Sequence, residues 1–133
     1  MAEILDGKKL RDKILEELKA RLENYDKKPT LVVILVGDNP ASRIYVNNKK
    51  KTAEKLGINS IVINYPSDVD EQTLLAKIEE LNNDKNVTAI LVQLPLPPHI
   101  NKFNIINAIS PKKDVDGFTP ENAGKLFTGE KPY

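Results

Sequence analysis

The chain contains no cysteine, which excludes disulfides, a thiolate nucleophile and any cysteine metal site. It has a single histidine, His99, just after Pro97-Pro98, where a surface loop position is the ordinary reading. No cluster of His, Asp and Glu has metal-ligand spacing, so no metal is expected. There are only 6 glycines and none cluster. Neither G-x-G-x-x-G nor G-x-x-x-x-G-K-[ST] occurs, so the chain shows no nicotinamide or nucleoside-triphosphate fingerprint of its own. The G-x-S-x-G elbow of serine hydrolases is also missing. Charge of one sign is lacking: 20 basic and 19 acidic residues are interspersed, for a net charge of +1. That balance gives no electrostatic reason to expect nucleic acid or a membrane as partner. The longest apolar run, Leu31 to Val36, is far too short to span a bilayer. The first residues, Met1-Ala2-Glu3-Ile4-Leu5-Asp6, have no basic region ahead of an apolar block. A secretory signal is therefore not expected, and a cytoplasmic protein is.

What is present is the material of one globular domain. The 133 residues are 40% hydrophobic and 29% charged, enough to bury a substantial core. Three β-branched apolar runs stand out, Leu31–Val36, Ile58–Tyr65 and Val87–Gln93. The first and third are nearly continuous, the pattern of strands buried on both faces. Leu10, Ile14, Leu18 and Leu22 recur every four residues, so Gly7 to about Tyr25 reads as an amphipathic helix. Asn39-Pro40 reads as N-cap and first residue of a second helix, with Gly57 closing it. A third helix is expected from about Asp70 to Asn82, a fourth over Lys102 to Ile109, and a last turn or helix after Thr119-Pro120. Alternating strand and helix predicts a three-layer α/β domain, with a mainly parallel sheet and helices on both faces. Ligands of such sheets bind at the carboxyl ends of the strands.

Three constellations suggest chemistry there. Ser42, Tyr45 and Lys49 share one side of the second helix, and Ala53 and Leu56 continue the stripe. Lys49 is thus expected on the inward face, while Lys50 and Lys51 turn to solvent. Either it snorkels its ammonium to the rim, or it lines a cleft where desolvation makes it an acid–base group. Gln93, ending the third run, could bond a lysine or a ligand, or only local backbone. Lys112-Lys113-Asp114-Val115-Asp116-Gly117-Phe118 alternates two carboxylates around a valine. If extended, it points both the same way, able to grip an amidine-like edge such as a pterin ring. The alternative is a solvated Asx turn closed by Gly117. A calcium loop fits poorly, because position 12 counted from Asp114 is Lys125.

Together these segments resemble one family. Val36-Gly37-Asp38-Asn39-Pro40-Ala41-Ser42 with Tyr45-Val46-x-x-Lys49, then Ile90-Leu91-Val92-Gln93-Leu94-Pro95-Leu96-Pro97, then Pro111 to Phe118 with Asn122-x-Gly124, occur in the order of its signatures. The family is the bifunctional methylenetetrahydrofolate dehydrogenase/methenyltetrahydrofolate cyclohydrolase. Thr119 and Glu121 stand where many members carry histidine and tyrosine. The resemblance implies that residues 1–133 are a folate-binding catalytic domain. It further implies that the C-terminal NADP-binding Rossmann-type domain is absent from this chain. Implied roles are Lys49 as general acid/base of the cyclohydrolase step and Tyr45 against the folate rings. Gln93 would set the protonation of Lys49, Ser42 would support its orientation, and Asp116 would grip the aminopyrimidine edge. The implied cofactor is NADP and the implied substrate a tetrahydrofolate derivative, in homodimers for full-length members, with a monomer open for this chain alone. The alternative is a folate-binding module without turnover.

Overall fold

The computed structural model describes residues 4–133; Met1 to Glu3, the start of the segment read above for a secretory signal, lie outside them. Three parallel strands form the sheet: β1 (Thr30–Val36), β2 (Asn59–Tyr65) and β3 (Ala89–Val92), in the order β2-β1-β3. The helices are α1 (Gly7–Leu22), α2 (Pro40–Leu56), α3 (Glu71–Asn83), α4 (Lys102–Ala108) and α5 (Pro120–Thr128). The expected parallel α/β architecture is therefore observed.

Alternation along the central strand builds the layers. Val32, Ile34 and Val36 face one side and join Ile90 and Val92 under Leu74, Ile78 and Ile105 of α3 and α4. Val33 and Leu35 face the other side and join Leu91 under Val46 of α2. Every residue from Val32 to Val36 is at most 5% exposed. Burying each such side chain contributes about 1.5–3 kcal/mol before chain entropy is subtracted.

The helix boundaries follow their caps. The side chains of Asp6, Asn39, Asp70, Asn101 and Thr119 each accept a hydrogen bond from a first-turn amide. Gly57 closes α2 with φ 82°, a left-handed conformation that favours glycine. β3 begins two residues later than its apolar run because Val87 N donates to Asp84 O in a turn.

One expectation about packing needs correction. The helix α1 forms, but its stripe is not a core face: Leu10, Ile14 and Leu18 are exposed. The helix leans on α2 rather than on the sheet, so only Leu15 and Leu22 are partly covered.

Candidate active site

One face of α2, the sheet face beneath it at Leu31 and Leu91, and the Val115–Asp116 segment beside β3 line the site, and Gln93, just past the carboxyl end of β3, reaches Lys49. β1 runs through Gly37, with φ 81°, into the Asn39 cap of α2. β3 ends at Val92, and Gln93 follows, its N–H donating to Ile34 O at 2.9 Å. Lys49 Nζ donates to Gln93 Oε1 at 3.1 Å. Gln93 Nε2 donates to Leu94 O at 2.8 Å, which fixes the amide so that its oxygen meets the ammonium. Lys49 is the tenth residue of α2, about 15 Å from the helix start. The partnership with Gln93 places the site along the flank of α2 rather than at its mouth.

Lys49 is nevertheless exposed, not buried. The buried face of α2 is Ser42, Val46 and Ala53, while Tyr45 is 61% exposed. Helical geometry puts Lys49 within about 20° of Ser42 on the wheel, so its direction was read correctly. Its burial was not, because an open groove rather than packed core lies beneath that part of the helix. The groove, about 470 Å³, is lined by Tyr45, Lys49, Ala53, Leu91, Val115 and Asp116. Asn48 and Thr52 also line it. Sequence reasoning passed over both, although their spacing from Tyr45 and Lys49 was the available signal.

The two aspartates part company. The segment bends at Val115 and Asp116 instead of running extended, and Gly117 takes φ 69°. The carboxylate of Asp114 closes an Asx turn. Its Oδ1 accepts from the amides of Gly117 at 2.9 Å and Phe118 at 3.3 Å. Its Oδ2 accepts from Thr119 N at 2.8 Å, Thr119 Oγ1 at 2.7 Å and Asn122 Nδ2 at 3.1 Å. Desolvation acts to raise its pKa, but these hydrogen bonds to the charged form outweigh it and hold the group below the ordinary value. Asp116 goes the other way. Desolvation and the nearby Asp114 charge raise its carboxyl above the ordinary value, with Lys49 opposing them.

Of the expected residues, the structure brings Tyr45, Lys49 and Asp116 to one groove, with Gln93 bonded to Lys49. Ser42 lies buried on the same helix, its N–H donating to Asn39 Oδ1 at 3.1 Å. No hydrogen bond joins it to Lys49 or Gln93 among the described residues. His99 sits in a loop with Nε2 at 2.8 Å from Val69 O and has no hydrogen bond to this cluster among the described residues. Among the described residues no group of three His, Cys, Asp or Glu could hold a metal ion, and no helix is long and apolar enough to cross a membrane. Another hollow, also about 470 Å³, lies near Leu22, Tyr25 and Ile58; its lining contains no carboxylate, and its Lys27 Nζ already donates to Asn86 Oδ1 at 2.9 Å.

The turn from β1 into α2 does not fit a dinucleotide phosphate. The turn into α2 carries the carboxylate of Asp38, and Pro40 at the first helical position has no N–H to offer a phosphate.

A parallel α/β domain with an amine, an amide and a carboxylate beside an apolar groove carries the groups that a small-molecule site needs. Residues 5–116 match the family described as tetrahydrofolate dehydrogenase/cyclohydrolase, catalytic domain. The chain belongs to that family. It is 58% identical over 130 residues to the bifunctional protein FolD of Aquifex aeolicus, covering 95% of this chain and 45% of that protein. A solved 5,10-methylenetetrahydrofolate dehydrogenase from the silkworm Bombyx mori superposes with a TM-score of 0.95 at 44% identity, over 99% of this chain and 47% of the other. The Trypanosoma brucei dehydrogenase-cyclohydrolase, solved with NADP cofactor and inhibitor, gives 0.90 at 31% identity, over 98% and 46%. The chain thus spans about half the length of the curated relatives it matches.

Proposed function

We propose that this chain is the folate-binding catalytic domain of a bifunctional one-carbon enzyme. The longer protein would oxidise 5,10-methylenetetrahydrofolate to the methenyl form with NADP and hydrolyse that to 10-formyltetrahydrofolate. The observation that supports this best is the Lys49 Nζ–Gln93 Oε1 hydrogen bond at 3.1 Å, in a groove shared with Tyr45 and Asp116.

Hydrolysis needs a base beside an electrophilic carbon. In this reading the flat pterin lies against Tyr45, and the carboxylate of Asp116 accepts from its aminopyrimidine edge. A water oxygen bonds to the methenyl carbon as Lys49 Nζ, acting as the general base, takes one of its protons. The bond from that carbon to N5 then breaks. N5 takes a proton back from the ammonium, and the remaining hydroxyl proton leaves to solvent as the formyl group forms. Gln93, held by its own bond to Leu94 O, keeps Nζ aimed and offers it an acceptor when charged. Ser42 is assigned only the support of α2 at its buried start. The oxidation belongs to the longer protein. In this reading its NADP-binding domain lies outside these 133 residues, and the homodimer that the family resemblance implies is that of the full-length protein.

The test is the loss of methenyltetrahydrofolate absorbance with the wild-type chain and with Lys49→Met. General base catalysis supplies roughly a hundred- to ten-thousand-fold, so the variant is expected to fall to background. Equal rates would leave a binding module without turnover. NADP-dependent methenyl formation by this chain alone would overturn the assignment of the cofactor to another domain.

A further inference from the structure

The Asp114–Asp116 pair divides its labour. Five donors converge on the Asp114 carboxylate, from Gly117, Phe118, Thr119 and Asn122. A carboxylate offers about four lone-pair sites, so none is left for a ligand. Asp116 receives no hydrogen bond among the described residues and lines the groove beside Lys49.

The segment between them is pinned at both ends. Upstream, Lys113 Nζ donates to Leu81 O at 2.7 Å and Asp84 O at 2.8 Å, at the carboxyl end of α3. The Lys113 carbonyl accepts from Ile90 N at 2.8 Å, which ties the segment to β3. Downstream, Thr119 and Asn122, 2% and 1% exposed, start α5 and converge on Asp114. Asn122 Nδ2 also donates to Pro111 O at 2.8 Å. Only Val115 and Asp116 project from this frame into the groove.

We propose that Asp114 is the positioning residue for Asp116: its carboxylate gathers the Gly117–Asn122 donors and so sets where the Asp116 acceptor meets the amidine-like edge of a ligand. This rests on the folate reading above. The edge, two parallel N–H groups on a flat ring, is taken from that reading, and a carboxylate with both oxygens unengaged can accept from both.

The experiment has one arm without ligand and one with it. Without ligand, carboxyl-carbon NMR follows the titration of Asp116 in wild type and Asp114→Asn, with circular dichroism to verify folding. In Asp114→Asn the Gly117 and Thr119 amides are expected to lose their downfield shifts and the Asp116 midpoint to fall, because a neighbouring negative charge has gone. With ligand, calorimetry measures methenyltetrahydrofolate binding to Asp114→Asn, Asp116→Ala and the double variant. Asp114→Asn is expected to weaken binding about tenfold, the worth of one lost charge-assisted hydrogen bond. The double variant should bind no worse than Asp116→Ala, because Asp114 acts only through Asp116. Should Asp114→Asn fail to fold, Thr119→Val removes one donor and keeps the charge. It should weaken binding about threefold, with Thr119→Ser restoring it. Additive losses in the double variant, or an unmoved Asp116 midpoint and unmoved amides in Asp114→Asn, would overturn the proposal. Failure of the wild-type chain to bind would instead overturn the folate reading, and the Gly117 and Thr119 amides in the ligand-free arm would still decide whether Asp114 holds the segment.

Discussion

Asn122 offers the sharpest test of how the site loop is held. It is 1% exposed and is bonded on both sides of its amide. Nδ2 donates to Pro111 O at 2.8 Å and to Asp114 Oδ2 at 3.1 Å, while Oδ1 accepts from Tyr133 N at 3.1 Å. Asn122→Ala leaves the Pro111 carbonyl without its donor and takes one of five donors from Asp114. A buried polar group left unpaired costs about 1–3 kcal/mol, so the total should be roughly 2–4 kcal/mol. Asn122→Asp should cost more at neutral pH. It removes the same donor and sets a second carboxylate against Asp114 in a buried place. The sign with pH follows. The pKa of Asp114 is lowered on folding, so its contribution is present above the ordinary carboxylate value and lost as pH falls through its folded value. The repulsion in Asn122→Asp is relieved at higher pH than that, because two facing carboxylates take up a shared proton above the ordinary carboxylate value. The stability gap between wild type and Asn122→Asp should therefore narrow as pH is lowered from 7 towards 4. Urea unfolding of the three chains at several pH values measures this, with the slope checked for constancy. An Asn122→Ala cost below about 0.5 kcal/mol, the level of an ordinary surface change, would refute the buried network. So would a gap that widens in acid.

Ile78→Ala, at a fully buried position of α3, should cost about 2–5 kcal/mol by thermal or urea unfolding, while leaving folate affinity per folded molecule unchanged. Gly57→Ala meets open space but must hold φ at 82°, so it should cost about 1 kcal/mol, seen as a lower melting temperature. Folate affinity, followed by calorimetry against pH, should fall in acid at a pH above the ordinary aspartate value, because desolvation raises Asp116. The Lys49→Met variant should lose affinity at a still higher pH, because the cation that lowers the Asp116 carboxyl has gone.

The sequence by itself determined the local structure and the identity of the chemical groups. Asn39, Asp70 and Thr119 announced three helix starts, and Gly57 announced one end, because a cap is a bond between residues three apart. The unbroken run from Leu31 to Val36 announced a strand covered on both faces, and it lies at the centre of the sheet. The wheel of α2 gave the direction of Lys49; the end of the third run left Gln93 open to a lysine, a ligand or local backbone, and it bonds both Lys49 and the Leu94 carbonyl. Tertiary structure alone decided what covers those directions. Lys49 points where it was expected to, yet it is exposed, because coverage depends on elements that a helix's own periodicity does not describe. The stripe of α1 is exposed for the same reason. Spacing alone could not split Asp114 from Asp116, although the family resemblance had singled out Asp116. Two carboxylates two residues apart look alike in sequence. Only the bend through Gly117 and the folding back of α5 bring five donors to one and leave the other open to the groove.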